Sequence, residues 1–572
     1  MKFKPVPTYQ QIFGEELPNL GTLLDEIPTV NLLVIISLIN AEILLNENDS
    51  SSHKEILRLF FSRQSEIIKK KIQDRWNFLN TKFGDSPSIF SMQYSNRFIH
   101  YALCNFKEGK LDDLSIEQEL NVFKAYMIFV TEQIKEDGKL VKTGTNSYED
   151  FFSENTWPLL NSQYESNIRI NLTSEIIRSY ILFDYLSSET EYKNYLQIFL
   201  SNRGFDEYRN YIKSLIILIL HSTTKKENNS PINYSGYLKN AKEFEGLLNE
   251  LSLDVEEYKN IYIKKPSGYT GIKEKPAYKI DDETYIILNW DYLYSKLYEG
   301  FMYDFYNYSG ISKAEKFKIF PDFKTLISKE VTEKLVFRKA IKNILFKKHT
   351  VIKFDEQTNN FPDAYFRVRN KIFLIELKDV SFPLIDEYSF DKIKAVIDNK
   401  LNNNSKGTGQ IVKQIIKLKT SDFEENPSYK RKRNLTIYPI IVYTNENFQI
   451  PGVNEYLRKS FDEKINESGI RNQFKVIKPL VLINLQFLIG NLDKLQDKRI
   501  DFIDLLEFYY SELKRSKKKA IKTKLLNDFF QIYEPIELVI NQKLNIYKDS
   551  DLTLREIFSI FDIEIEKKAL PK

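Results

Sequence analysis

Apolar residues recur at three- and four-residue steps through the first 255 residues, as in Ile56, Leu59 and Phe60 and again in Val122, Tyr126 and Phe129. That period predicts helices, with breaks at Asn46–Ser52, Gly84–Pro87, Gly138–Asn146 and Lys225–Pro231. No fixed-period repeat is visible. Residues 256–325 read as a transition: a Gly/Pro loop, PSGYTGIKEKP (266–276), a strand, TYIILNW (284–290), and a helix whose apolar face is Tyr294, Leu297, Tyr298, Phe301 and Phe305. That face is expected to dock on a core. The loop lacks the Gly-Lys-Ser/Thr of a phosphate cradle, so no nucleotide site is assigned to it.

From residue 326 the period changes. A helix over 328–346 precedes a strand, HTVIKF (349–354), and a turn-like stretch, DEQTNNFP. Two alternating runs then predict a hairpin, DAYFRVR (363–369) and KIFLIELKDV (371–380), with Asn370 near its turn. A polar helical region, a loop (401–409) and a helix opening at Gln410 follow. TIYPIIVYT (436–444) reads as a buried strand and KPLVLINLQFL (478–488) as another. The predicted class is a multidomain α+β chain. It has a largely α-helical N-terminal part (1–255), a transition segment (256–325), an α/β sandwich around a small mixed sheet (326–490) and a helical C-terminal extension (491–572).

Composition narrows the chemistry. Aromatic residues make up 14% of the chain, which excludes disorder over most of its length. The net charge of +4 is a cancellation: residues 326–572 hold 45 basic and 34 acidic residues, a balance of +11, and residues 1–325 carry −7. Such asymmetry hints at a polyanion-binding part. A single cysteine, Cys104, excludes a disulfide framework and a cysteine-based zinc site. The four histidines are scattered, so a catalytic metal would be held by carboxylates, which points to Mg2+ or Mn2+. The N-terminus has no apolar signal region, and runs such as 31–45 are too interrupted by Asn and Glu to span a bilayer. A cytoplasmic protein with no membrane role is expected.

The centre of the chemistry is the second hairpin strand. Alternation puts Phe373, Ile375 and Leu377 on one face and Ile372, Leu374, Glu376 and Lys378 on the other. A Glu and a Lys leaving an apolar strand side by side need a partner or a metal. Asp363 opens the first hairpin strand, which places it beside Glu376 in space. Two converging carboxylates repel unless a hard cation relieves them. The Leu377 carbonyl is a further candidate ligand, and Lys378 would stand near a metal-bound water. Asp379 points to the opposite face. Lys406, Lys413, Lys430, Arg431, Lys432 and Arg433 are candidate phosphate contacts; the run Lys514–Lys519 is either a second such patch or a solvated helix face.

Phe-Pro-Asp363 followed by Glu376-Leu377-Lys378 resembles the PD-(D/E)XK nuclease superfamily, over about residues 326–450 and at most to 490. The resemblance implies a restriction-endonuclease-like α/β/α core. It implies metal ligation by Asp363 and Glu376, catalysis by Lys378, and a further acid on the first core helix, where Glu333 fits and Glu330 is the fallback. Some subfamilies carry a Gln on the following helix with a Tyr four residues on; Gln410 fits the first position, but Gln414 stands in place of the Tyr. The expected activity is Mg2+-dependent hydrolysis of nucleic acid. DNA is favoured over RNA by the resemblance alone, in the setting of a bacterial antiphage or restriction system, with a homo-oligomer or a defence partner protein. The alternative is a non-catalytic nucleic-acid-binding or interaction protein built on the same domain.

Overall fold

The computed structural model describes residues 6–45, 50–83, 87–140, 171–221, 237–239, 244–264, 269–282, 284–345, 350–355, 361–381, 390–497, 499–545 and 554–563. The chain is mixed α+β, about 67% helix, with a small mixed sheet. Among the described residues no helix is long and apolar enough to cross a membrane.

The apolar run at 31–45 forms α1 (Thr29–Leu45), which is buried nearly all round, as a helix without a polar face must be. Its few polar side chains bond inward. Asn40 donates to the Leu288 carbonyl at 2.8 Å, and Ser37 donates to that of Ile287. α1 packs with α2 (Met92–Cys104) and α3 (Ile116–Leu140) in an aromatic core that contains Ile56, Phe60, Val122, Tyr126 and Phe129. Helix α3 runs through Gly138 to Leu140, and the rest of the break expected over Gly138–Asn146 lies outside the described residues. The expected breaks near 46–52, 84–87 and 225–231 fall largely outside the described residues.

Residues 237–287 supply a three-stranded antiparallel sheet in the order β1 (Tyr237–Lys239), β3 (Thr284–Ile287), β2 (Ala277–Lys279). The helical N-terminal part therefore carries a strand that periodicity did not predict. The strand expected over 284–290 ends at Ile287, because Asn289 caps a new helix, Trp290–Ser295, by accepting from the Tyr292 N–H. The expected Gly/Pro loop holds a short helix, Tyr269–Glu274. Tyr294, Leu297, Tyr298, Phe301 and Phe305 are all buried, but the single helix expected there is two, Trp290–Ser295 and Glu299–Tyr308, with Leu297 and Tyr298 in the turn between them.

The larger sheet runs β4 (Thr350–Phe354), β5 (Ala364–Val368), β6 (Lys371–Lys378), β7 (Thr436–Tyr443), β8 (Val476–Ile477), with β9 (Val481–Asn484) also on β7. The β4–β5–β6 pairings are antiparallel and those of β6–β7 and β7–β9 are parallel. The strand expected over 478–488 is confined to β9; Asn484 then caps a helix, Leu485–Gly490.

Helices cover both faces. Phe373, Ile375 and Leu377 pack with α4 (Leu172–Ser188) and α5 (Ser328–Leu345), whose first ten residues wind as a π-helix. Ile372 and Leu374 pack with α6 (Phe390–Ile397), α7 (Thr408–Thr420) and α8 (Val453–Glu467). The alternation read along β6 is thus the division between two cores. One of these cores also takes Ile177, Ile181, Leu182 and Phe183 from α4, so part of the segment 1–255 belongs with the sheet.

Candidate functional site: a carboxylate pair and a lysine at the end of β6

The register Ala364↔Ile375 brings the preceding residue, Asp363, opposite Glu376. Cross-strand partners share a face, so both acids and Lys378 project toward the layer that holds α7. The hairpin closes at Arg369–Asn370, with Arg369 in the left-handed region at φ 51°. Asp363 Oδ2 accepts from the Leu377 N–H at 2.6 Å. In an extended strand the N–H and C=O of one residue point to the same edge, so the Leu377 carbonyl is directed to the Asp363 side, beyond the first residue of β5.

Glu376 is fully buried, and each of its carboxylate oxygens is engaged. Oε2 accepts from Lys378 Nζ at 3.0 Å, and Oε1 accepts from Gln414 Nε2. Lys378 Nζ also donates to Gln410 Oε1 at 2.8 Å. Gln410 and Gln414 stand one turn apart on α7 and reach the same strand end. Burial, followed by the facing charge of Glu376, pushes the Asp363 carboxyl well above the usual carboxylate range. Lys378 and the Leu377 N–H oppose this shift, and the charge of Glu333 adds to it. The pair is electrostatically unfavourable when both acids are ionised, which is the state a hard cation would favour.

The start of α7 is fixed by close packing. Gly407 has φ 58°, and a Cβ there would lie 1.9 Å from the Leu401 carbonyl oxygen; one on Gly409 would lie 2.3 Å from that of Asn403. Glycine is required at both positions for the chain to pass itself. Lys464 of α8 ties this turn from below, donating to the Asn402 carbonyl at 2.6 Å and to Thr408 Oγ1 at 2.8 Å.

The acids of α5 have different surroundings. Glu333 pairs with Arg338 Nη2 at 2.7 Å, and the same guanidinium nitrogen donates to the Asp355 carbonyl at 2.9 Å. Glu333 is thus within electrostatic reach of Asp363, with its charge already matched. Glu330 pairs with Lys334 at 2.7 Å and lines a separate cleft with Tyr180, Tyr185 and Arg209. Among the described residues no group of three or more His, Cys, Asp or Glu side chains is gathered closely enough to hold a metal ion. Asp363 and Glu376, with the Leu377 carbonyl, match the donor set of Mg2+, which takes one or two carboxylates and keeps several waters.

The candidate phosphate contacts divide. Lys406 and Lys413 are exposed on either side of Gln410. The loop holding Lys430, Arg431, Lys432 and Arg433 leads into Thr436, which pairs with Lys371, whereas Lys378 pairs with Tyr443. The loop therefore lies toward the opposite end of β6 from the acids, about 17 Å along the strand from Glu376. Lys432 is also occupied, with Asp422 at 2.8 Å and the carbonyls of Leu418 and Ser421. A phosphate bound there is not the one at the acids. In the run 514–519, Arg515, Lys517 and Lys519 pair with Glu512, Glu455 and Asp528.

Gln414 is the site residue that sequence reasoning passed over. It stood where a tyrosine was expected, and its position four residues after Gln410 was the available signal. Asp379 lies on the far face, as alternation required. Burial would raise its carboxyl, but the Lys324 charge, the Thr444 hydroxyl (2.7 Å), Arg178 and Thr332 together hold it below the usual range. No protein-family model, no characterised protein and no solved structure matches this chain.

Proposed function

We propose that the chain is a metal-dependent nuclease that hydrolyses phosphodiester bonds, with DNA the favoured substrate. The observation that carries this reading is the meeting of Asp363, Glu376 and Lys378 at one strand end, with Lys378 shared between Glu376 and Gln410. A bound Mg2+ or Mn2+ would supply charge neutralisation at the phosphate and a more acidic water. Asp363, Glu376 and the Leu377 carbonyl would hold it. Lys378 presents an ammonium where negative charge grows in the transition state, and Gln410 and Glu376 fix that ammonium in place. Gln414 keeps the Glu376 carboxylate from turning away. Lys406 and Lys413 would draw the nucleic-acid backbone toward α7.

A second reading, a non-catalytic nucleic-acid-binding protein, is favoured by one observation: Glu333, the third acid, is neutralised by Arg338. The deciding experiment incubates the protein with duplex DNA, single-stranded DNA and RNA, with and without Mg2+ or Mn2+. Cleavage that needs the metal and disappears in Asp363→Ala and Lys378→Ala supports the nuclease. Binding without cleavage under every condition supports the alternative.

A further inference from the structure

The start of α7 is held by a polar network that reaches Lys378 through Gln410. Residues Asp398–Asn402 wind as a π-helical turn after α6 and bring Asn402 against α8. Tyr456, Ser460 and Lys464 stand at four-residue steps along α8 and so present one stripe to that turn. Lys464 Nζ donates to the Asn402 carbonyl at 2.6 Å, to Asn402 Oδ1 at 2.7 Å and to Thr408 Oγ1 at 2.8 Å. These bonds engage every hydrogen of its ammonium. Thr408, fully buried at the first position of α7, donates its hydroxyl to Asn402 Oδ1 at 2.7 Å, and Ser460 donates to the same oxygen at 2.8 Å. Asn402 Nδ2 donates to Asp398 Oδ1 at 2.8 Å, and the Tyr456 hydroxyl donates to that oxygen at 2.6 Å. Asp398 thus supplies a counter-charge to Lys464 through Asn402.

Gln410 follows Thr408 by two residues, and the backbone between them has no slack, since a Cβ on Gly409 would lie 2.3 Å from the Asn403 carbonyl oxygen. A shift of Asn402 or Thr408 is therefore carried to Gln410. Gln410 Oε1 takes one hydrogen of Lys378 Nζ, and Glu376 Oε2 takes another. An ammonium has three, and the last has no protein acceptor among the described residues. Its direction is set by the other two, so the place of Gln410 decides where Lys378 aims its remaining hydrogen. A lysine at 464 adds little stability that an apolar side chain of similar volume would not. A fully satisfied polar network instead specifies a single arrangement of the groups it joins. On the nuclease reading, we infer that Lys464, Asn402 and Thr408 are positioning residues that fix Gln410, and through it the remaining hydrogen of Lys378, against the substrate phosphate.

The test uses the full-length protein with Thr408→Val, Thr408→Ser, Lys464→Met and Gln410→Ala, and with Thr408→Val and Lys464→Met each combined with Gln410→Ala. Two readouts are taken: kcat with Mg2+ on the DNA that the parent cleaves, and amide hydrogen exchange over residues 408–412. Thr408→Val and Lys464→Met should each lower kcat about tenfold, as small displacements of a catalytic group do, and should quicken exchange at the start of α7. Thr408→Ser, which keeps the hydroxyl, should match the parent in both readouts. In the Gln410→Ala background neither change should lower kcat further, because the group through which they act is gone. Losses that add in the double variants would overturn the route through Gln410, as would parental kcat and parental exchange in Thr408→Val. Should Lys464→Met not fold, the two Thr408 variants decide. If the parent cleaves nothing, the nuclease reading fails and exchange alone decides the hold on α7: quickened in Thr408→Val it stands, unchanged it falls.

Discussion

Gln414 donates its side-chain amide to one carboxylate oxygen of Glu376, while Lys378 holds the other. A glutamine from the middle of a helix thus fixes the orientation of a fully buried acid on a neighbouring strand. Gln414→Ala should leave that acceptor unsatisfied in the core. We expect a loss of about 1–3 kcal/mol in urea unfolding and a higher Mg2+ concentration for half-maximal rate in any cleavage assay. Parental stability in the folded variant would show that the amide is dispensable.

Gly407 and Gly138 should respond oppositely to alanine. At Gly407 the new Cβ would meet the Leu401 carbonyl, and the backbone would be held at a positive φ. We expect Gly407→Ala to destabilise by about 2 kcal/mol or more and to reduce cleavage, because Gln410 follows three residues later. Gly138 lies exposed in α3 with nothing near the added carbon. There alanine should stabilise by about 0.5–1 kcal/mol. Thermal unfolding of the pair checks both signs.

Asp291 sets a pH dependence. It is 4% exposed, Oδ1 has no hydrogen-bond partner among protein atoms, and burial raises its carboxyl to about 7. A folded-state value above the unfolded one means that the folded chain holds the proton longer. Stability contributed at this site therefore falls as pH rises from about 4 to about 7, and the loss is complete above that. Asp291→Asn should flatten this slope and raise the unfolding midpoint at pH 7.5, with little effect at pH 4. Glu175, Glu299, Glu446 and Lys273 line the same small cavity, so the slope should be read as a difference between variant and parent. Equal midpoint shifts at both pH values would exclude the ionisation as the cause.

Nucleic-acid affinity should depend on Lys406 and Lys413 more than on the loop at Lys430–Arg433. Replacing both lysines of the first pair with glutamate should weaken DNA binding and reduce the salt slope by about 0.9 for each phosphate no longer neutralised. Replacing Lys430, Arg431 and Arg433 should leave cleavage at the acids intact, since that loop lies at the far end of β6. Fluorescence anisotropy across a salt series separates the two. A larger drop in affinity for the loop variant would reverse the placement of the bound backbone.

Much of the arrangement around β6 was legible because a strand has a fixed period. Two-residue alternation alone separates Ile372, Leu374, Glu376 and Lys378 from Phe373, Ile375 and Leu377, and the apolar members of these sets do enter different cores. The hairpin pattern likewise brings Asp363 opposite Glu376. Gln414 was not legible in the same way, since a helix position says which residues share a face but not which strand that face will meet. The pairing of Glu333 with Arg338 was hidden for a similar reason: i to i+5 is not a regular α-helical neighbour, and the α-helical period does not foretell the π-helical winding of that segment.

What the sequence determined by itself was local: the helical character of the first third, the β5–β6 hairpin, the faces of β6, and the residue types able to hold a hard cation. These follow from side-chain period and chemistry, which are properties of neighbouring residues. The tertiary structure alone decided that α4 packs with the sheet, that Lys430–Arg433 stand at the wrong end of β6 to share a phosphate with the acids, and that Gln414 reaches Glu376. Those facts depend on strand order, register and helix docking, which are set by how distant apolar faces are buried together.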